Sequence, residues 1–204
     1  MYFEEFQEKM EWQLGTVEIP REEMLEYGRK YDSNPVHVDE EYGKRCRFGD
    51  IIAPGTMTGM KLWNEWIAYA APGEEFVAGT SCTMEWHKPV FAGDSLHGKA
   101  VVTKKTENSR YNGIIQVTIY GYNQNDEHVL TTYNHLVQKR TSVLNYEKLR
   151  EALTVRLGKG MPESGDYGFE KAVSIQDMTD EQLLKAARSL EMDMKPFEKS
   201  KKSD

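Results

Sequence analysis

A chain of 204 residues is long enough to bury a core and suggests one domain with an extension, or at most a domain and a half. Its 39% hydrophobic and 29% charged content reads as globular, and a formal net charge of -7 argues against a general nucleic-acid binder. An anionic ligand held by a local basic patch stays open.

Met1 to Met10 reads as a short acidic helix or arm with Tyr2, Phe3 and Phe6 for packing. It lacks the basic and apolar regions of a signal peptide. Trp12 to Ile19 reads as a strand ended by Pro20. Pro20-Arg21-Glu22-Glu23 opens a helix, since proline is tolerated in the first turn and the acids suit the positive end of the dipole. Met24, Leu25, Tyr27 and Gly28 give that helix an apolar face, and it delivers the chain to Asp32. Asn34-Pro35 breaks it. Asp39 is placed to cap a short charged turn over Glu40 to Cys46.

After Gly55 an apolar helix follows, with Met60, Trp63, Ile67 and Ala70–Ala71 at helical spacing and Trp66 and Tyr69 widening the face. Pro72-Gly73 stops it. The period then turns strand-like: Phe76 to Val90, Ser95 to Glu107, Asn112 to Tyr122 and Val129 to Val137. With the early strand this makes an α+β order, β-α-β-β-β-β, of about five strands around one long buried helix. Cys46 and Cys82 have no paired spacing and read as reduced thiols of a cytoplasmic protein. No segment has the apolar length to span a bilayer, so no membrane partner is expected.

Residues 1–140 form the expected main domain and 141–204 an extension, helical with a frayed tail. In the extension, Asn145 to Leu157 sets Leu149, Leu153 and Leu157 on one face, and Gly158 to Gly168 reads as loop. Thr179-Asp180-Glu181-Gln182 is a capping box before a second helix, and the end from Glu198 looks frayed. The extension is expected to pack on the core or on a partner copy.

The chemistry concentrates in Tyr31-Asp32-Ser33-Asn34-Pro35-Val36-His37-Val38-Asp39 and in Phe48-Gly49-Asp50-Ile51-Ile52-Ala53-Pro54-Gly55. A carboxylate and an imidazole on one rigid turn can grip and polarise a water. A glycine heading a buried helix can offer its N–H to a developing oxyanion. Taken alone, Asp-Ser-Asn-Pro is also an ordinary turn-forming string, followed by a histidine that could be structural. Asn34 reads first as a cap of the turn that places His37, and second as a substrate contact.

These two stretches, with Pro89-Val90-Phe91-Ala92-Gly93-Asp94 downstream, resemble the MaoC-like (R)-specific enoyl-CoA hydratases over roughly residues 12–140. The matching patterns are Asp-x-Asn-Pro-x-His, a segment ending in Gly at the central helix, and Pro-Val-x-x-Gly-Asp. The resemblance implies a hot-dog fold, a curved antiparallel sheet wrapped around a long helix. It also implies hydration of a 2-enoyl-CoA, or dehydration of a 3-hydroxyacyl-CoA. Asp32 and His37 would flank the water, Gly55 would meet the thioester oxygen, and Asn34 and Thr56 would lie on the substrate side; Trp63, with Trp66 and Tyr69, could shorten an acyl pocket or be plain core. Which of Asp32 and His37 is the base stays open. No cofactor or metal is implied, CoA entering only as part of the acyl-CoA substrate.

A lone unit of this kind leaves sheet edges open, so a homodimer or dimer-based oligomer is expected. The chain departs from the family at Tyr31, where many members have Gly, and at Pro54, where many have His.

Other candidates are fewer. Glu65 lies on the central helix, where some hot-dog thioesterases place a carboxylate, and is expected to be exposed. His87, His97, His128 and His135 lack tight ligand spacing and read as structural. Lys44, Arg45 and Arg47, or Lys104 and Lys105, could meet CoA phosphates or could be plain solvated surface. Two other functions stay in view: acyl-CoA thioester hydrolysis through Glu65, and a non-catalytic acyl-CoA-binding subunit.

Overall fold

A computed structural model of the protein describes residues 1–68, 72–158 and 175–199. The chain divides into two compact units, Met1–Arg140 and Thr141–Asp204. In the first, Tyr2, Phe3 and Phe6 are buried around a 3₁₀ turn at Phe3–Glu5. There follow β1 (Glu11–Glu18), α1 (Arg21–Tyr31), α2 (Pro35–Val38), α3 (Glu40–Arg45) and α4 (Gly55–Ala68). Four long strands complete the unit: β2 (Phe76–Trp86), β3 (Ser95–Glu107), β4 (Asn112–Asn123) and β5 (His128–Lys139).

All neighbouring strands pair antiparallel in the order β1-β3-β4-β5-β2, and the sheet does not close. Helix α4 touches all five strands. This is the expected α+β hot-dog arrangement. The core forms where the apolar positions of the strands meet α4, among them Leu96, Ala100, Val102, Ile115, Val117 and Ile119. Strict alternation of burial along the first half of β3 is what a strand with one covered face produces. Strand β2 differs. It lies at the sheet edge, exposed along nearly all its length, and it ends at Trp86 where the sequence suggested Val90.

The buried face of α4 is only partly the one that periodicity named, sharing Trp66 with it. Met57, Thr58, Gly59, Leu62 and Trp66 turn inward, while Met60 (47%) and Ile67 (37%) are exposed. The helix is apolar on most sides, so spacing alone could not choose its inner face. Small residues at 58 and 59 let the helix approach the sheet, and that decides it. Tyr69 and Ala70–Ala71 lie outside the described residues.

The second unit contains α5 (Tyr146–Gly158) and α6 (Asp180–Ser189). Leu149 and Leu153 are buried, as are Leu183, Leu184 and Ala187 of α6. The capping box is present: the Thr179 hydroxyl accepts from the Gln182 N–H at 3.3 Å, and the Thr179 N–H donates to the Gln182 side chain at 2.8 Å. Arg150 on α5 donates to the carbonyls of Gln176 and Met178, both at 2.8 Å, which ties the chain before α6 to α5. Most of the expected loop at Gly158 to Gly168, and the tail from 200 onward, lie outside the described residues. No helix among the described residues is long and apolar enough to cross a membrane.

Candidate active site

The site begins where α1 ends. The Asp32 N–H still donates to the Gly28 carbonyl at 2.9 Å, but its φ of -153° has left the helix. Asn34 then caps α2, its side chain accepting from the Val36 N–H at 3.4 Å, and Pro35 occupies the first helical position. One turn on, His37 points back towards Asp32. Its Nε2 lies 3.5 Å from Asp32 Oδ2, and its Nδ1 donates to the Ile52 carbonyl at 2.8 Å. A carbonyl can only accept, so the proton of the neutral ring is on Nδ1 and Nε2 carries the lone pair. The His37 side chain is 11% exposed and that of Asp32 42%, so the pair spans the wall and the mouth of a cleft.

Ile52 is itself held from two sides. Its N–H donates to the Val36 carbonyl at 3.0 Å, and it bridges to Phe91. The Ala53 N–H donates to the Val90 carbonyl at 2.8 Å. The Pro-Val-x-x-Gly-Asp element is therefore the clamp that sets the segment leading into α4. It is a tight turn: Gly93 has φ +91°, a conformation that glycine adopts without strain. Asp94 accepts from the Phe91 N–H at 2.8 Å and anchors the turn to Ile19 through its carbonyl at 2.9 Å. Arg21 adds a two-pronged ion pair to Asp50 at 2.9 and 3.1 Å, tying the start of α1 to the same segment.

Helix α4 opens at Gly55, so the first N–H groups have no intrahelical acceptor and the positive end of its dipole faces the cleft. A side chain at 55 would collide with the indole of Trp86, which explains the glycine by close approach rather than by backbone angle. The cleft has a volume of about 390 Å³, and Asp32, His37, Gly55 and Thr56 all line it. The Tyr27 hydroxyl donates to the Thr56 hydroxyl at 3.3 Å.

Of the expected site residues, Asp32, His37, Gly55 and Thr56 come together. Asn34 is exposed and acts on the turn. Trp63 does not line the cleft: eight residues, about 12 Å, along α4 from Gly55, it packs on buried Trp66 with ring centroids 5.2 Å apart. Glu65 is half-buried rather than exposed, its carboxylate against Gly15 of β1, and it too lies off the cleft. Arg47 lines the cleft and stacks on Phe48, whereas Lys105 sits over the Phe3 ring elsewhere.

Sequence reasoning missed Trp86 and Lys88 as cleft residues and took His87 for a structural one. Their signal was position: all three immediately precede the Pro89-Val90 motif. His87 lies over His128 at 4.3 Å, and both share the Thr131 hydroxyl at 3.0 Å. Among the described residues no cluster of His, Cys, Asp and Glu could hold a metal ion.

The fold and site define a hot-dog protein with an Asp-His pair at the head of its central helix. The model of the MaoC-like domain matches residues 5–121, and the chain belongs to that family. An uncharacterised Bacillus subtilis protein, YdeM, is 28% identical over 127 residues, covering 62% of this chain and 90% of that one. The MaoC-like dehydratase from Rhodospirillum rubrum superposes with a TM-score of 0.63 at 20% identity, over 69% of this chain and 97% of its own. The (R)-hydratase PhaJ1 from Pseudomonas aeruginosa gives 0.56 at 23% identity, over 68% and 86%. The hot-dog fold of the hydratases and dehydratases is shared.

Proposed function

We propose that this chain adds water to the double bond of a 2-enoyl-CoA thioester, or dehydrates the 3-hydroxyacyl-CoA in reverse. One observation carries the reading. His37 Nε2 faces Asp32 Oδ2 at 3.5 Å while Nδ1 is committed to the Ile52 carbonyl. The gap is too long for a good direct hydrogen bond and suits a shared water. A water donating one hydrogen to each group would aim its oxygen lone pairs into the cleft.

In this scheme His37 Nε2 takes a proton as the water oxygen bonds to the β-carbon. The double-bond electrons move to the thioester oxygen as an enolate, where the Gly55 N–H and the positive end of α4 stabilise the charge. Asp32 orients the water and then stabilises the imidazolium beside it. That imidazolium returns its proton to the α-carbon, so water is added whole and no cofactor is consumed. Arg47 at the cleft supplies a cation for the phosphates of the carrier. Thioester hydrolysis through Glu65 gains no support, since Glu65 is not at the cleft.

The reading includes a pair of protomers joined along β2. Among the described residues that strand pairs only with β5, and Phe76 and Val77 on it are exposed.

The test is a panel of short enoyl-CoAs followed by loss of the conjugated-thioester absorbance. Wild-type turnover that falls by about 10²–10⁴-fold in both Asp32→Asn and His37→Ala supports the assignment. Free thiol without hydration supports a thioesterase instead, and binding without turnover supports a carrier subunit.

A further inference from the structure

Trp86 ends the edge strand β2 and lines the cleft, the residue as a whole 53% exposed. Its backbone is fixed by pairing with Leu130, and the next residue, His87, donates its N–H to the Val129 carbonyl at 2.8 Å. The ring is turned in a definite way. Nε1, Cε2 and Cζ2 are the three atoms that a Cβ on Gly55 would strike first, so the N–H edge of the indole lies against the start of α4. Among the described residues nothing accepts a hydrogen bond from that N–H. Tryptophan is a donor only, so on this cleft-lining, half-exposed residue the N–H is available to an acceptor that enters the cleft.

A thioester oxygen has two lone pairs, and one backbone N–H satisfies one of them. The residue before Gly55 cannot help, because Pro54 has neither an N–H nor a polar side chain. We propose that the Trp86 indole N–H is the second donor to the thioester oxygen, completing with Gly55 the oxyanion site at the head of α4. This inference rests on the hydratase reading above. It makes Trp86 a catalytic residue in the strict sense, a group that touches the reacting carbonyl.

The test replaces the donor and keeps the ring. Trp86→Phe removes the N–H, and 3-benzothienylalanine incorporated at position 86 exchanges N–H for sulfur with the ring size unchanged. It decides the matter if Trp86→Phe folds poorly by circular dichroism. Both variants are assayed for kcat and KM on a short enoyl-CoA, and the carbonyl stretch of the bound thioester is followed by difference infrared spectroscopy. The expected result is a fall in kcat of about 10²-fold with KM within about twofold, and a bound carbonyl stretch at higher frequency than in wild type. A packing role would leave that frequency unmoved. Wild-type kcat and an unshifted carbonyl in the benzothienylalanine protein overturn this inference alone, provided Asp32→Asn is inactive. A wild-type protein that hydrates no enoyl thioester overturns the hydratase reading and this inference with it.

Discussion

Asp32 and Asp39 flank the same short helix and serve different ends. Asp39 caps α3, its carboxylate accepting from the Tyr42 N–H at 3.0 Å, and nothing places it at the cleft. The Asp32 carboxylate caps no helix and faces His37. Asp39→Ala should therefore cost about 1 kcal/mol in urea unfolding while leaving turnover unchanged, the reverse of the pattern expected for Asp32→Asn. Both roles were legible in the sequence, because an aspartate before Glu-Glu signals a helix start and an Asp-x-Asn-Pro-x-His spacing signals a turn bearing two reactive groups. The Ile52 carbonyl and the Trp86 indole were not legible. One is a backbone atom that every residue possesses, and the other reaches the site only through the pairing of β2 with β5.

The elements around the cleft are joined by loops more than by helices or strands. The turn at Pro89 to Asp94 grips the Ala53 N–H, the Ile52 bridge and the end of β1 together. Beside it Lys88 reaches Glu127 at 2.5 Å. That hydrogen bond first, and one from Asn123 second, hold the Glu127 carboxyl below its ordinary pKa. A carboxylate depressed on folding contributes stability above its unfolded pKa and loses it as pH falls through the folded value. Glu127→Gln should accordingly flatten the acid limb of a urea-midpoint profile and leave the neutral plateau nearly parallel to wild type. The existence of β2 to β5 was legible from their alternation and turn residues. The inner face of α4 was legible only at Trp66, because apolar residues lie on several sides of the helix and the sheet chooses its orientation; Met60 and Ile67 were named where Met57 and Leu62 turn inward.

At the scale of the whole molecule the open edge is the dominant feature. A long edge strand with Glu85 as its one charged residue, carrying Phe76 and Val77 in water, is a surface that soluble proteins avoid unless it is covered. Sedimentation velocity should find a dimer, and Val77→Lys should raise its dissociation constant by about tenfold or more, since a lysine on the pairing edge opposes strand addition. A wild-type protein that sediments as a monomer at micromolar concentration would contradict the shared sheet. The second unit was legible as two helices and a capping box, but its role was not, since its side chains carry no pattern tied to a reaction.

The hydrogen bond from His37 to Ile52 has a further consequence for how this protein would look to a mutational survey. The acceptor is main chain, so every replacement of Ile52 keeps it, and every replacement at position 55 other than proline keeps that N–H. An alanine scan would score Ile52 as a packing residue, and would read any loss at Gly55 as a clash with Trp86 rather than as the work of a backbone donor. Ester-for-amide substitution, which deletes a single backbone N–H and weakens the neighbouring carbonyl, is the kind of edit that would bring the silent half of the site into view.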